Sequence, residues 1–208
     1  MKLHIGQDLH DQRTDEWHEA RLGRITASRI HDVIARTAKG GYTAKRDDYM
    51  YQIAAERMTG QATRIFTNDA MLWGIEQEIN AKEYYAAFYD VKITEAPFII
   101  HRQMAYSGAS PDGIVDNSYL LEVKCPQTNT FLKIRESGVP PENYMAQCQW
   151  QMAVTQADRC DLVFYDPRII DPQKQMFVYC IVRDDDVIAN MEHEVALFNE
   201  AIEAIINK

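Results

Sequence analysis

Along residues 14–89 apolar side chains recur at helical spacing, separated by residues that start and stop helices. Thr14-Asp-Glu-Trp-His-Glu-Ala-Arg-Leu-Gly carries acids in its first turn and a natural stop at Gly23, which predicts a helix over 14–23. A second helix is expected to begin near Thr26 or Ser28 and to bury Ile30, Val33 and Ile34. A third, over 43–58, places Met50, Ile53, Ala54 and Arg57 on one side and ends before Gly60. Asn68 is a cap candidate for a long helix to Tyr89, with Leu72, Ile75 and Ile79 on its apolar stripe. The pattern then changes. Segments 91–101 and 113–124 are rich in β-branched and aliphatic residues and are broken by turn formers, so they read as strands. A helix over 142–155 follows Pro140-Pro141, and strands are expected over 162–165 and 176–182 around a loop holding Pro167 and Pro172. Asp184-Asp-Asp opens a last helix with Val187, Met191, Val195, Phe198, Ile202 and Ile205 at helical spacing. The expected fold is α/β (α+β): a central mixed β-sheet flanked by helices, with a helical N-terminal part.

Neither repeats nor Gly/Ser- or Pro-rich linkers divide the 208 residues, so 1–208 is read as a single domain large enough for a sizeable core. Hydrophobic residues at 46% against 25% charged argue against disorder. No apolar run approaches the ~18 residues needed to cross a bilayer. The opening Met1-Lys-Leu-His-Ile-Gly-Gln-Asp has no apolar signal core, so a cytoplasmic location is expected. Cysteines at 125, 148, 160 and 180 are too dispersed for a C-x-x-C pair, and no H-E-x-x-H occurs; buried reduced thiols are expected rather than a zinc site. The net charge of −9 argues against a protein that coats DNA through many phosphate contacts. It does not exclude a nuclease, in which carboxylates hold metal and a basic channel coexists with an acidic exterior.

The chemistry is concentrated in Ser110-Pro-Asp-Gly…Leu-Glu-Val-Lys. A turn centred on Asn117 sets Val115 opposite Tyr119, and the same register sets Asp112 opposite Glu122. Directly opposed residues have Cβ atoms ~5 Å apart, so the two carboxylates repel unless a proton or cation lies between them. A hard cation such as magnesium fits that requirement. Strand alternation puts Glu122 and Lys124 on one face and Leu121 and Val123 on the other. A lysine beside the metal would orient and help ionise a water, which is what phosphodiester hydrolysis needs.

Pro111-Asp112…Glu122-Val-Lys124 resembles the signature of the PD-(D/E)xK nuclease superfamily, with its restriction-endonuclease-like core. The longer resemblance is to the bacteriophage lambda exonuclease family, the YqaJ-type viral recombinases. It rests on Trp17-His-Glu-Ala-Arg-Leu-Gly-Arg-Ile-Thr-Ala-Ser28, Leu72-Trp-Gly-Ile-Glu-Gln-Glu78, Ser110-Pro-Asp-Gly-Ile, Leu121-Glu-Val-Lys-Cys-Pro126 and Tyr144-Met-Ala-Gln-Cys-Gln149, in that order, with Tyr165-Asp-Pro-Arg168 beyond them. The region of Gly40-Gly41 departs from the family pattern.

The resemblance implies roles position by position. Asp112, Glu122 and Glu78 would hold the metal, magnesium with manganese as a substitute, and the main-chain carbonyl of Val123 would be a further ligand. Glu76 lies close by, but the family spacing falls on Glu78. Lys124 would position the attacking water. Tyr144, Gln147 and Gln151 share one helix face, and Gln147 is the one expected to serve the reaction. Arg21, Ser28 and Ser110 would bind a terminal 5′-phosphate, although Ser28 also suits a helix cap. Met71 would wedge between bases, or else is an ordinary core methionine. The implied activity is 5′→3′ digestion of double-stranded DNA ends, leaving 3′ single-stranded overhangs. A ring-shaped homotrimer and a single-strand annealing protein as partner are implied with it. The rival readings are a restriction-type endonuclease, a non-catalytic DNA-binding accessory module of recombination, and a small-phosphoester hydrolase, for which no dense His/Asp cluster is present.

Overall fold

The computed structural model describes residues 3, 12–63 and 68–208; the opening segment read above therefore lies outside the described residues except for Leu3. The N-terminal helices are α1 (Asp15–Arg21), α2 (Ile30–Ile34), α3 (Ala44–Thr59) and α4 (Asp69–Tyr89). A two-residue strand, β1 (Ile25–Thr26), precedes a 3₁₀ turn over Ala27–Arg29. Short strands β2 (Ile93–Thr94), β3 (Ile99–Ile100) and β4 (Ser107–Ala109) lead into the hairpin β5 (Gly113–Val115) and β6 (Tyr119–Lys124). Helices α5 (Thr128–Ser137) and α6 (Glu142–Thr155), strands β7 (Arg159–Tyr165) and β8 (Met176–Val182), and helix α7 (Asp185–Ile206) complete the chain.

The caps explain several boundaries. Thr14 accepts a hydrogen bond from the Trp17 N–H, Asn68 from Met71, and Asp184 from both Asp186 and Val187, so orphan amides of three helix starts are satisfied by side chains. Gly60 ends α3 in the left-handed region at φ 66°, as a residue without Cβ does most easily.

The strands form two sheets rather than the single one expected. Five run in the order β2-β5-β6-β7-β8, antiparallel except for the β6–β7 pair, and three run in the order β1-β4-β3. Of the small sheet only β3 falls in a segment expected to be a strand; β1 and β4, with two and three residues, are too short for a period to show. Helix α5 was also unread; Phe131 and Ile134 are its only fully buried side chains.

Strand alternation separates two cores across the large sheet. Leu121, Val123 and Val163 pack with Ala81 and Tyr85 of α4, while Leu120, Leu162 and Phe164 pack with Phe131 of α5 and Cys148 and Met152 of α6. A third core joins α2, α3 and α7 to Trp150, Ala153 and Val154 on another side of α6. Helix α6 is thus buried almost all round from Ala146 to Thr155, and its three glutamines must find partners inside the protein.

One expectation is corrected here. Leu72, Ile75 and Ile79 do not form a buried stripe: they are 48%, 38% and 60% exposed. Only the second half of α4 lies on the sheet, through Ala81 and Tyr85, and the first half extends past its edge. The thiols are also mixed: Cys148 and Cys160 are buried, Cys125 is half-buried and Cys180 is exposed.

Gly108 leads directly to the Ser110-Pro-Asp segment, and a Cβ there would stand 2.5 Å from both the Ile99 carbonyl oxygen and the Phe98 ring. Gly108→Ala is therefore expected to cost about 1–3 kcal/mol by overpacking. Urea denaturation monitored by circular dichroism measures it, and an unchanged midpoint would mean that the strands separate without penalty.

Candidate active site

The hairpin register carries the site. Gly113 pairs with Leu121, Ile114 with Leu120 and Val115 with Tyr119, as the sequence predicts. Asp116 and Asn117 take the positive φ values (49° and 53°) that a type I′ turn requires, and the Ser118 N–H donates to the Val115 carbonyl at 2.8 Å. One residue beyond the ladder, Asp112 Oδ2 accepts the Val123 N–H at 2.7 Å, which fixes the first carboxylate against the strand that bears the second.

Glu122 is 2% exposed and points toward α6. Its Oε1 accepts from Lys124 Nζ at 2.5 Å and from Gln147 Nε2 at 2.6 Å, and its Oε2 accepts from Gln151 Nε2 at 2.6 Å. The i, i+4 spacing of the two glutamines on α6 is what lets both amides reach one carboxylate. Burial alone would lower the Lys124 ammonium, but Glu122 and Asp112 outweigh it and hold it above its ordinary value. The ammonium also lies 5.1 Å from the centroid of the Tyr144 ring. The Asp112 carboxyl is pushed well above the usual range, first by burial and then by the negative charge of Glu122 and Glu78.

Helix α4 brings Glu78 to the same place. Its Oε1 accepts from Lys82 at 2.8 Å and its Oε2 from Arg13. Arg168, from the Tyr165-Asp-Pro-Arg segment, ties this helix to the end of β6: its guanidinium stacks on Trp73 at 4.4 Å and donates to the Pro126 carbonyl at 2.9 Å.

Two cavities meet at these acids. The larger, about 540 Å³, is lined by Met71, Ile75, Glu78, Val123 and Tyr144 among others; the smaller, about 200 Å³, by Arg13, Trp17, Arg21, Ser28, Ser110 and Gln147 among others. Asp112 and Lys124 line both. In the smaller cavity the Trp17 indole N–H donates to Ser110 Oγ at 2.9 Å, and the Arg21 guanidinium stacks on the same indole at 4.1 Å. Burial draws the Arg21 guanidinium below its ordinary value, and no carboxylate forms a salt bridge with it among the described residues. A partly desolvated cation without a counterion is suited to an incoming anion. Ser28 Oγ meets Thr26 Oγ1 at 3.2 Å and caps neither the 3₁₀ turn nor α2. Met71 is 42% exposed on the larger cavity and is not a core residue.

The structure thus brings Glu78, Asp112, Glu122, Val123, Lys124 and Gln147 around one junction, with Arg21, Ser28 and Ser110 on one side of it and Met71 on the other. Arg36, a basic residue near Gly40-Gly41, is paired with Glu194 instead. Four neighbours were not singled out from sequence. Trp17 stood inside a quoted motif, and Lys82 stands at i+4 from Glu78, so both were within reach. Gln151 was legible only as part of a polar stripe. Arg13 gave no signal, because its contact depends on the path of the chain before α1.

Among the described residues no three His, Cys, Asp or Glu side chains stand together as a preformed metal cage. The third acid, Glu78, is held instead by Arg13 and Lys82. The donor set nonetheless fits a hard divalent cation, being anionic and oxygen-rich. Burial first, and then the negative charge of Glu122 and Glu78, push the Asp112 carboxyl above its ordinary value, and that charge is what a cation would neutralise.

A Pro-Asp and a Glu-x-Lys set side by side on a mixed sheet, under a helix bearing a third acid, define a nuclease core of the PD-(D/E)xK class, whose members generally use divalent metals. The comparisons agree. Residues 16–158 match the YqaJ-like viral recombinase domain. An alkaline exonuclease (LHK-Exo) from Laribacter hongkongensis is 40% identical, with a TM-score of 0.86 over 93% of this chain and 95% of that one, and its complex with dAMP matches equally. A phage-related exonuclease from Haemophilus somnus 129PT shares the fold at 14% identity, with a TM-score of 0.69 over 88% of this chain and 95% of that one. No curated protein matches the chain. The chain belongs to the YqaJ-like viral recombinase family, and it is a nuclease that acts on DNA.

The raised Asp112 carboxyl has a measurable effect on stability. A carboxyl raised on folding contributes stability below its unfolded value, and that contribution is lost as pH rises through the folded value. Asp112→Asn, which mimics the neutral form, should therefore stabilise the metal-free protein near pH 7. The gain should vanish below about pH 4, where the unfolded carboxyl is protonated too. Thermal melts in chelator across this range test it; equal or lower stability of the variant at pH 7 would contradict the assignment.

Proposed function

We propose that this chain, acting as one exonuclease domain over 1–208, is a magnesium-dependent 5′→3′ exonuclease. It digests linear double-stranded DNA from 5′-phosphorylated ends and leaves 3′ single-stranded overhangs for single-strand annealing recombination. The observation that carries this reading is the meeting of two unequal cavities at Asp112 and Lys124. The smaller is too confined for a duplex and holds Arg21, which has no carboxylate partner among the described residues, beside Ser28 and Ser110; the larger is flanked by the exposed Met71. A strand entering from the larger side with its terminal phosphate on Arg21 would present one bond at the junction. That arrangement imposes both direction and step size. LHK-Exo binds dAMP, and a deoxynucleoside monophosphate is what such stepwise digestion would release here.

In this reading Asp112, Glu122, Glu78 and the Val123 carbonyl would hold the metal. Bound there, magnesium or manganese would act as a Lewis acid on the phosphoryl oxygen and lower the pKa of the attacking water. Lys124 orients that water from its perch on Glu122. Gln147 and Gln151 keep Glu122 in place during the reaction. Arg21 grips the terminal phosphate with a guanidinium already oriented by Trp17, and Ser28 and Ser110 add hydroxyl contacts. Met71 parts the terminal bases.

The exposed Leu72 and Ile79, outside the lining of the larger cavity, supply apolar surface for subunit contact in a homotrimeric ring around DNA. No helix among the described residues is long and apolar enough to cross a membrane, in keeping with action in the cytoplasm beside an annealing protein.

End-labelled linear duplex should be degraded only with magnesium, faster from 5′-phosphate than from 5′-hydroxyl ends, while covalently closed circles stay intact. Glu122→Ala should abolish digestion, and Arg21→Ala should reduce the preference for 5′-phosphate at least tenfold. Cleavage of closed circles would favour the endonuclease reading, and equal rates from both ends would remove the phosphate pocket.

The ring predicts a mass near three times 24.0 kDa in light scattering without DNA. A constant monomer across concentrations would eliminate it.

A further inference from the structure

The junction between the two cavities is crossed by one ion pair. Glu78 lines the larger cavity and Arg13 the smaller, and the Arg13 guanidinium donates to Glu78 Oε2. Arg13 shares its cavity with Asp112, Glu122, Lys124, Arg21 and Ser110. Its backbone is held in the left-handed region at φ 72°, which a non-glycine residue adopts only at a cost. The preceding residue secures this path: Gln12 Nε2 donates to the Ala96 carbonyl at 3.0 Å and to the Pro111 carbonyl at 2.7 Å. The segment before α1 is therefore pinned to the Ser110-Pro-Asp connection between β4 and β5, one residue from Asp112, with a cation aimed at the acids.

That cation is held loosely. The Arg13 side chain is 43% exposed against 12% for Glu78, so water reaches the guanidinium end of the pair and eases its release. Glu78 keeps a second partner in Lys82, so it does not depend on Arg13 for charge balance. A divalent cation competing for Glu78 would displace the guanidinium, whose anchored backbone leaves it within the same small cavity. The anion available there is the phosphate of the substrate.

We propose that Arg13 is a catalytic arginine that alternates between two anions. It occupies Glu78 in the metal-free protein, and it moves to the phosphate at the cavity junction once metal claims Glu78. This rests on the metal-nuclease reading given above. Its planar fork can grip a carboxylate or a phosphate bidentately, whereas an ammonium meets either one only as a point charge without fixing its orientation. Metal loading and substrate clamping are thereby coupled through one side chain. DNA bound without metal would face a closed ion pair in place of a free arginine.

The coupling predicts opposite effects on two measurements. For Arg13→Gln, magnesium titrated calorimetrically without DNA should bind at least threefold more tightly than to the wild type, because a competitor for Glu78 is gone. The same variant should digest 5′-phosphorylated linear duplex at least tenfold more slowly at saturating magnesium. Arg13→Lys should return magnesium affinity to within twofold of the wild type yet stay slow. Unchanged or weaker magnesium binding by Arg13→Gln, or digestion within twofold of wild type, would overturn the assignment. If the wild-type protein itself neither binds magnesium nor digests the duplex, the metal-nuclease reading fails, and the role of Arg13 falls with it.

Discussion

Everything at the site depends on holding one buried carboxylate in a fixed orientation. Glu122 sits on a central strand, 2% exposed, with Lys124 and two glutamine amides on its oxygens. Removing one partner from a buried ion pair costs about 3–5 kcal/mol, because the remaining charge is stranded. The fold is arranged to prevent that. Helix α6 carries Gln147 and Gln151 one turn apart, and it is itself gripped by the sheet on one side and the α2–α3–α7 layer on another. Trp150 between the two glutamines locks the rotation of the helix, packing into that layer and donating its indole N–H to Ser107. The helical N-terminal half of the protein is therefore part of the apparatus that orients a single side chain.

The neighbouring acids are treated differently. Asp112 has one strong backbone donor and two negative neighbours, and Glu78 has two cations, the enclosed Lys82 and the more exposed Arg13. One group is locked, one is frustrated and one is exchangeable. Such a division suits a centre that must be built before its cation arrives, since the locked group sets the frame and the other two can adjust.

The parts of this arrangement that were legible in sequence are those encoded by local periodicity. The Asp112–Glu122 register followed from a turn at Asn117, and the pairing of Val115 with Tyr119 bears it out. The cap at Asn68 is legible because a short polar side chain precedes the apolar Ala70-Met-Leu-Trp, and the helix starts at Thr14 and Asp184 are marked by the acids that follow them. The small sheet was not legible, since its parallel β1–β4 pair joins residues some eighty positions apart in segments too short to show alternation. Nor was the exposure of Leu72, Ile75 and Ile79: helical spacing of apolar residues reports a face, not what covers it. Arg13 lay beyond sequence reasoning altogether, because its partner is fixed by tertiary path alone.

Helix α4 is anchored at one end only. Ala81 and Tyr85 lie in the core, and the Tyr85 hydroxyl donates to the buried Asp161 at 2.6 Å, while the residues from Met71 to Ile79 extend over the larger cavity. Mechanically it is a cantilever, with Arg168 on Trp73 as a prop midway along the free arm. Opening free energies should rise along the helix from its first turn to the turns that carry Ala81 and Tyr85, where its buried side chains lie. Glu78 stands near the fulcrum and Met71 near the tip. A tilt that barely displaces the acid would sweep the methionine through a much larger arc, so the larger cavity can change its width while the acids stay in place.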